Sequence, residues 1–295
     1  MIHLLALLGV LSISFSAVFI RLAHVSPVTA TFYRAAYAIP VLAAIWAAGR
    51  SGDRRDVRHR LLAFASGLFL AADLDLWHES IALIGAGLGT VIPNVQIVFV
   101  ALFAWLRHGD RPRGRTVGLI AIVLCGVTLT SGLARGDAYG VRPGFGVLLG
   151  VAAGLCYAVF LIVFRASNRN LVPPAGPLLD ATAGMAAGAL LSAGLDPGFS
   201  FAVSRDAHAW LLALALVSQV IGWMFIATAL PRLPALTTSV LLLAQPIFAI
   251  VWGVLLFDER LSPLQWLGSA IVLAGVAVLS MTEGAPAAPP RPQPS

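Results

Sequence analysis

The stretch "AIVLCGV" at residues 121–127 returns almost unchanged as "AIVLAGV" at residues 270–276. Six of the seven residues are identical, and the copies are 149 residues apart. Two unrelated apolar tracts would lose register in their flanks, yet at the same offset Gln96 still meets Gln245. The chain therefore carries one segment twice, and this repetition decides how the rest of the sequence is interpreted.

The composition of the chain indicates a membrane protein. Hydrophobic residues make up 59% of the 295 residues and charged residues 11%, against about 25% charged residues in soluble proteins. A bilayer core of ~30 Å takes about 20 apolar residues per helix, and the short alternating segments of barrel strands are absent from the sequence. We therefore expect an all-α integral membrane protein with ten transmembrane helices, at residues 3–22, 28–48, 61–83, 87–106, 116–133, 144–164, 176–195, 208–229, 236–256 and 264–281.

The basic residues predict how the chain is oriented. Thirteen of the 19 arginines lie in the tail and in the loops after even-numbered spans, against four in the opposite loops, and there is no lysine. Because positive loops stay in the cytoplasm, both termini are predicted to be cytoplasmic, in the inner (plasma) membrane of the cell. The net charge of +6 is then a topology signal, and no nucleic-acid partner is expected. The Pro-rich end at residues 283–295 is predicted to be a disordered cytoplasmic tail.

The repeat divides the chain into two units of five helices, at residues 1–135 and 136–282. "SAVFI" in the first span corresponds to "YAVFL" in the sixth, at an offset of 141. Because each unit has an odd number of spans, the second unit must enter the membrane upside down. Inverted repeats of this kind are typical of secondary transporters that work by alternating access.

Three stretches of the chain resemble a known family. "FDERLSPLQWLGSAIVLAGVAVL" at residues 257–279 resembles the end of an EamA-type repeat of the drug/metabolite transporter superfamily. "SPVTATFYRAAYAIPVL" and "GAGLGTVIPNVQIVFVALFAWL" resemble the second and fourth helices of its first repeat. The turn "RHGDRP" at residues 107–112 departs from the Gly-Glu-Arg-like turn of such repeats. The resemblance implies a ten-helix permease that moves small organic solutes, often outward, through a cavity built by helices one to four and six to nine.

The third span concentrates charge in the stretch "AADLDLWHES". Each central carboxylate costs about 2.5 to 3.5 kcal/mol on insertion scales, so the bundle or water must accommodate these groups. At about 100° per helical residue, Asp73 and Trp77 share one face. Asp75, His78 and Glu79 share nearly the opposite face. We expect one face to line the cavity and to bind a cationic group or a proton; the alternative is that these acids lie near the outer interface or pair with arginines to hold helices together.

Arg34 on the second span is the deepest basic residue of the predicted bundle. A lone guanidinium in lipid is costly. It therefore either pairs with a carboxylate or a helix end inside the bundle, or binds the carboxylate of a substrate.

Prolines mark possible breaks in the fourth and ninth spans. Pro93 precedes Asn94 and Gln96, and Pro246 follows Gln245. Because proline has no N–H, each one frees a carbonyl one turn earlier and favours a kink. Broken helices near the membrane midplane point to the binding site of a transporter, so the three amides are candidate site residues. A plain packing kink is the alternative for either proline alone.

Two tryptophans correspond between the repeats. Trp77 meets Trp223 at an offset of 146, and at the same offset Gln219 stands where the third span has Asp73. The third span therefore carries a charge at a position where the eighth span carries a neutral amide. We expect Trp77, Trp223 and Gln219 at the binding site, with membrane-interface anchoring as the alternative for the tryptophans.

Small residues form G-x-x-x-G steps on two spans. Gly146, Gly150 and Gly154 follow this spacing on the sixth span, and Gly184 and Gly188 on the seventh. The pattern favours close packing inside the bundle over dimerisation, so a monomer is expected and a homodimer is the alternative.

The sequence favours a secondary transporter, an exporter or exchanger of small organic metabolites such as amino acids, working by alternating access. Its expected partners are the substrate, the lipid bilayer and, if transport is coupled, protons; facilitated exchange fits the same residues. An intramembrane enzyme is the competing class, but the sequence has no G-x-S-x-G, no H-E-x-x-H and no Cys/His ligand set. We therefore expect no catalytic residue, no cofactor and no metal. A channel or structural membrane subunit is a third class, and the inverted duplication argues against it.

Overall fold

The computed structural model describes residues 2–108, 114–130, 140–167, 173–229 and 235–283, and all regular structure within these ranges is helical. In chain order the α-helices are α1 (Ile2–Ser14), α2 (Ser16–Ala23), α3 (Pro27–Gly49), α4 (Val57–Ile84), α5 (Ala86–Val91), α6 (Gln96–His108), α7 (Gly114–Thr130), α8 (Pro143–Ser167), α9 (Ala175–Ala193), α10 (Arg205–Ala213), α11 (Trp223–Ala229), α12 (Ala235–Phe257) and α13 (Pro263–Glu283). Two 3₁₀ segments, Arg50–Gly52 and Ile92–Val95, and the π-helical segment Leu214–Gly222 complete the elements of this part of the chain.

Each predicted span contains helix, but three spans are divided into shorter elements. The first span is α1 and α2, which meet at Phe15. The fourth is α5, the 3₁₀ segment Ile92–Val95 and α6, so the predicted interruption at Pro93 is present. The ninth span, α12, continues through Pro246 as one helix. In the eighth span, the π segment between α10 and α11 was not predicted.

The length and apolarity of the helices show a multi-pass membrane protein. Three shorter apolar helices, Gly114–Thr130, Ala244–Phe257 and Pro263–Val278, accompany the long ones. The predicted Asp110 turn and residues 284–295 of the predicted tail lie outside the described residues. Six helical stretches in the described part of the chain are long and apolar enough to cross a membrane: Ile2–Ala23, Pro27–Gly49, Val57–Ile84, Ala86–Phe103, Pro143–Ser167 and Arg205–Ala229.

Short polar side chains define where two of the long helices begin. Ser26 accepts a 3.3 Å hydrogen bond from the backbone N–H of Thr29 at the start of α3. Asp56 accepts a 2.8 Å bond from the N–H of His59 at the start of α4. Such N-caps satisfy backbone donors that have no partner within the helix. The helix starts are therefore encoded locally, by residues that the sequence places just outside the apolar stretches.

Glycines allow α8 and α9 to pack closely against α4 and the broken fourth span. A Cβ added to Gly154 of α8 would lie 2.8 Å from the carbonyl oxygen of Pro93, and one added to Gly188 of α9 would lie 2.6 Å from Cβ of Ala71. Any side chain at these positions would push the helices apart. Both G-x-x-x-G stripes thus face neighbouring helices of the same chain, the arrangement by which small residues hold membrane helices together.

Helices α7 and α13 carry the two copies of the repeated stretch, and they pack against each other. A Cβ added to Gly126 would lie 2.9 Å from Cγ2 of Val272, and one added to Gly275 would lie 2.6 Å from Cγ2 of Val123. At the offset of 149 the two glycines correspond to each other, and so do the two valines. The same glycine–valine contact is therefore formed twice, once from each helix. Such reciprocal contacts are what a two-fold axis between equivalent surfaces produces.

Candidate functional site

A cavity of about 190 Å³ lies between the helices. Its walls come from the first four and from the sixth, eighth and ninth spans, and so from both halves of the chain. An apolar cavity of about 150 Å³ holds a benzene molecule, so this one has room for a small organic molecule. The polar and tryptophan side chains on its wall are Ser16, Arg34, Asp73, Trp77, Thr90, Asn94, Gln96, Tyr157, Trp223 and Gln245.

One face of α4 lines the cavity, and it is the face that carries Asp73 and Trp77. Leu70 and Leu74 complete this stripe, at the three- and four-residue spacing of a helix face. Asp73 and Trp77 are both buried, with 6% and 7% of their surface exposed. The charge of Asp73 therefore faces the cavity rather than the lipid.

The other polar face of α4 lies away from the cavity. Neither carboxylate oxygen of Asp75 has a hydrogen-bond partner in the described residues, although Thr31 and Ser192 lie near it. His78 is buried, and its Nδ1 lies 3.2 Å from the carbonyl oxygen of Pro27. Glu79 is partly exposed. These predicted site residues therefore do not share a cavity with Asp73.

Arg34 reaches the cavity from α3 and is held there by an amide. Its Nε donates a 2.8 Å hydrogen bond to the side-chain oxygen of Gln219, whose Nε2 donates a 3.2 Å bond to the hydroxyl of Thr182. Nη1 of Arg34 is buried and has no partner in the described residues. Gln219 does not line the cavity but lies behind Arg34. Because the π segment changes the rotation along the helix, it sets the direction in which Gln219 points toward Arg34.

Opposite charges line the same cavity without a direct ion pair. Arg34 and Asp73 interact electrostatically, and both are on the wall, but no ion pair joins them. The predicted alternative, in which acids of the third span pair with Arg34 or Arg21, is also absent from the described contacts. Arg34 bonds Gln219, and Arg21 pairs with Glu259. The cavity wall therefore carries an acidic and a basic side chain that are not paired with each other.

The break in the fourth span exposes polar groups to the cavity. Asn94 donates from its amide to the carbonyl oxygens of Thr90 and Val91, at 2.9 and 3.2 Å. These carbonyls lie at the turn where the 3₁₀ segment interrupts the helix, so Asn94 replaces helical hydrogen bonds. The side-chain oxygen of Gln96 is buried without a partner in the described residues.

Aromatic rings form another part of the wall. Trp223 packs edge to face against Phe160, with ring centroids 5.8 Å apart, and Phe160 stacks on Tyr157 at 5.5 Å. Trp77 is buried on α4. Both tryptophans line the cavity. Their rings can contact the apolar part of a ligand or a cationic group.

Glu259 forms a second buried cluster, at the end of α12. Its side chain is fully buried and forms an ion pair with Arg21 at the end of α2. Its two oxygens accept hydrogen bonds from the backbone N–H groups of Ala86, at 2.6 Å, and Gly87, at 3.0 Å. One carboxylate thus joins three parts of the chain that are distant in sequence.

A third polar cluster lies at the loop between α3 and α4. Arg55 pairs with Asp53 and with Asp180 of α9, each at 2.9 Å, and Trp46 donates a 2.9 Å bond to Asp53. The hydrogen bonds from Arg55 hold the pKa of Asp53 at about 2. Asp53 therefore stays ionised under all ordinary conditions, and the cluster fixes the loop to α9.

Comparison with known proteins places this arrangement in a family. The model of the EamA-like transporter family matches residues 1–132 and 144–281. The chain belongs to the EamA-like transporter family. A protein of known crystal structure matches with a TM-score of 0.64 over 95% of this chain and 98% of its own, at 18% identity, which shows a shared fold alone.

Relatives of this EamA-like chain are named as transporters. It is 27% identical over 222 residues to the "Uncharacterized transporter YwfM" of Bacillus subtilis, covering 74% of this chain and 73% of that protein. It is 23% identical over 201 residues to the "Probable amino-acid metabolite efflux pump" of Escherichia coli, covering 65% of this chain and 67% of that one. The family and its relatives indicate a membrane transporter.

Sequence reasoning missed several cavity residues of this EamA-like protein. Ser16 and Tyr157 both line the cavity, and they are the first residues of the corresponding stretches "SAVFI" and "YAVFL". The correspondence between the two stretches therefore contained the signal, because the first residue of each lines the same cavity. Glu259 corresponds to Asp110 at the offset of 149, but its pairing with Arg21 could not be predicted, since Arg21 lies 238 residues away in the sequence. Among the described residues, no cluster of His, Cys, Asp and Glu is suited to holding a metal ion.

Proposed function

We propose that the protein is a secondary transporter that moves small organic metabolites by alternating access, as an exporter or exchanger. Zwitterionic or amphipathic compounds such as amino acids are the proposed substrates. The observation that carries the proposal is the pair Arg34 and Asp73, two buried and opposite charges on the wall of one cavity without a direct ion pair. Belonging to the EamA-like family supports the transporter class.

The proposed architecture is ten transmembrane helices in two inverted five-helix repeats. The reciprocal contacts of α7 and α13 support it. Another pair of contacts supports it as well. The third span packs on the sixth, through α4 and α8, and the spans that correspond to them in the other repeat, the eighth and the first, are in contact through the π segment and α1. The family model matches the chain twice, close to the proposed repeats 1–135 and 136–282. We place both termini in the cytoplasm and the protein in the inner membrane, on the distribution of arginine.

The substrate class follows from which groups the cavity offers. A guanidinium with a free Nη1 suits a carboxylate, because charge-assisted hydrogen bonds are the stronger ones. Asp73 suits an ammonium group, and Trp77 and Trp223 suit an apolar side chain. The name of the Escherichia coli relative, an amino-acid metabolite efflux pump, agrees with this class.

Asp73 is the proposed coupling residue. It is buried, faces the cavity and has no ion pair in the described residues, so it can take up a proton when the substrate leaves. Neutralising a carboxylate lowers the cost of moving the empty site through the membrane. Exchange of one substrate for another needs no such proton.

Metabolite export by intact cells tests the proposed function. Cells that express the wild-type protein should release one or a few zwitterionic metabolites faster than cells that express Arg34→Ala with Asp73→Asn at equal membrane abundance. Untargeted analysis of the medium identifies them without a prior choice of compound. Identical media from both cell lines would contradict the proposal.

A further inference from the structure

Three chain segments meet at Glu259, and two of them belong to helices that wall the cavity. Arg21 ends the first span, Ala86 and Gly87 begin α5, and Glu259 follows α12. The cavity lies about one turn away in two of these helices, at Ser16 of α2 and Thr90 of α5, and more than three turns back along α12, at Gln245. The Glu259 contacts are therefore at one end of the cavity.

The carboxylate is held by charge-assisted hydrogen bonds. Gly85, with φ of 85°, separates α4 from α5 and leaves the N–H groups of Ala86 and Gly87 without helical partners. Glu259 accepts from both of these groups. Its buried charge is balanced by Arg21, whose side chain is 29% exposed and whose guanidinium lies 4.0 Å above the ring of Phe257.

Glycines bring α5 and α12 into contact at this end. A Cβ added to Gly87 would lie 3.1 Å from Cα of Ile250 and 3.3 Å from Oε2 of Glu259. Gly253 approaches the same carboxylate, and the carbonyl of Gly253 accepts from the N–H of Glu259 at 3.1 Å. With no side chain between them, the two helices are in direct contact here.

We propose that Glu259 and Arg21 form a latch that closes the cavity at this end, which is the outer end in the orientation that the arginine distribution predicts. The inference rests on the proposed alternating access, because a carrier must part α5 from α12 to open this side. Opening then requires Glu259 to release the N–H groups of Ala86 and Gly87. Arg21, which is open to water, remains a partner for the released carboxylate.

Cysteine labelling from each side of the membrane tests the latch without knowledge of the substrate. Ser16→Cys provides the reporter, because Ser16 lines the cavity and its hydroxyl has no partner in the described residues. The native Cys125 and Cys156 are replaced by serine. A membrane-impermeant thiol reagent is applied to intact spheroplasts and, separately, to inverted vesicles.

Glu259→Gln should raise the labelling rate of the reporter from the Glu259 side by about tenfold or more, because an uncharged amide cannot form an ion pair with Arg21 and offers one acceptor oxygen instead of two. Labelling from the opposite side should fall or stay constant. Asp258→Asn is the matched control, since Asp258 is adjacent, 84% exposed and paired with the equally exposed Arg260. It should leave both rates unchanged.

An unchanged rate in folded Glu259→Gln, or equal increases from both sides, would overturn the latch. If this variant is not recovered as a folded protein, Arg21→Gln carries the test with the same expected direction. Absence of counterflow in proteoliposomes that contain the protein with Glu259 retained would contradict alternating access itself. Failure of the latch and failure of the proposed function are thus separate results.

Discussion

Arg34 donates a 2.8 Å hydrogen bond to Gln219, a neutral partner that does not compensate the guanidinium charge on the cavity wall. Thr182 orients the amide by accepting its N–H at 3.2 Å. The arrangement fixes where Arg34 points and keeps Nη1 free. A positioned cation binds a carboxylate without first having to be ordered, which saves part of the entropy cost of binding.

Gln219→Glu should weaken the binding of carboxylate substrates. The new carboxylate would pair with Arg34 and compete with the substrate for the same charge. Loss of a hydrogen bond to a charged group costs about 1.5 to 3 kcal/mol, so KM should rise by about 10- to 100-fold. Transport kinetics of the exported amino acid measure this.

The amide of the same amino acid is the control compound for Gln219→Glu. It lacks the carboxylate, so its weaker binding should change little between wild type and variant. A similar loss for both compounds would assign Gln219 to general folding rather than to the position of Arg34.

Asp73→Asn should abolish transport driven by a pH gradient and preserve exchange of substrate for substrate. The reason is that asparagine cannot carry a proton, whereas exchange needs no net proton movement. Uptake into inverted vesicles, with and without an imposed pH gradient, measures the gradient-driven transport. Counterflow at zero gradient measures the exchange.

Asp75→Asn is the matched control for Asp73→Asn, because Asp75 lies two residues away on the same helix but outside the cavity wall. It should retain transport driven by the gradient. The reverse result, with loss in Asp75→Asn and retention in Asp73→Asn, would move the coupling group to the other face of α4. Wild-type transport that ignores the gradient would exclude proton coupling.

Much of the fold could be predicted because the lipid bilayer restricts the length and composition of the segments that cross it. Helices that cross a bilayer must be long and apolar, and the repeat at residues 121–127 and 270–276 survives in the contact of α7 with α13. The π segment Leu214–Gly222 could not be predicted. A single extra residue per turn leaves no signal in composition, and it depends on packing against other helices.

Most polar residues of the cavity wall could be identified from the sequence, but their arrangement in space could not. Polar side chains occur on two faces of α4, so periodicity could not decide between Asp73 and Asp75. That choice depends on where α3, α8 and α9 lie around α4. Glu259 was missed because its role arises from backbone N–H groups more than 170 residues away, and backbone groups leave no trace in a sequence.

Valine in place of Gly126 should destabilise the protein, and so should valine in place of Gly275. A side chain at Gly126 of α7 would collide with α13, and one at Gly275 of α13 would collide with α7. Overpacking of this kind lowers the stability by about 1 to 3 kcal/mol. Gly118→Val is the control, because a Cβ there meets nothing within 4 Å. Melting temperatures in detergent measure the effect, and similar shifts for all three variants would contradict the reciprocal contact.

Asp53 should make the stability of the protein fall in acid. Its folded-state pKa of about 2 is below the unfolded value, so its contribution is present above about pH 4 and is lost as the pH falls toward 2. Asp53→Asn should lower stability at neutral pH by about 1.5 to 3 kcal/mol and flatten this part of the pH profile. Asp258→Asn should neither lower the stability nor change the pH profile. A pH profile of stability in Asp53→Asn that matches the wild type would contradict the stabilising role of Asp53.

Counterflow in proteoliposomes tests the central claim most directly. Vesicles containing the purified protein are loaded with the unlabelled amino acid and diluted into a trace of the labelled one. An alternating-access carrier should accumulate the label transiently above its external concentration, with saturation, and Arg34→Ala should lose this overshoot. Label that enters steadily to equilibrium, regardless of what the vesicles contain, would contradict the account.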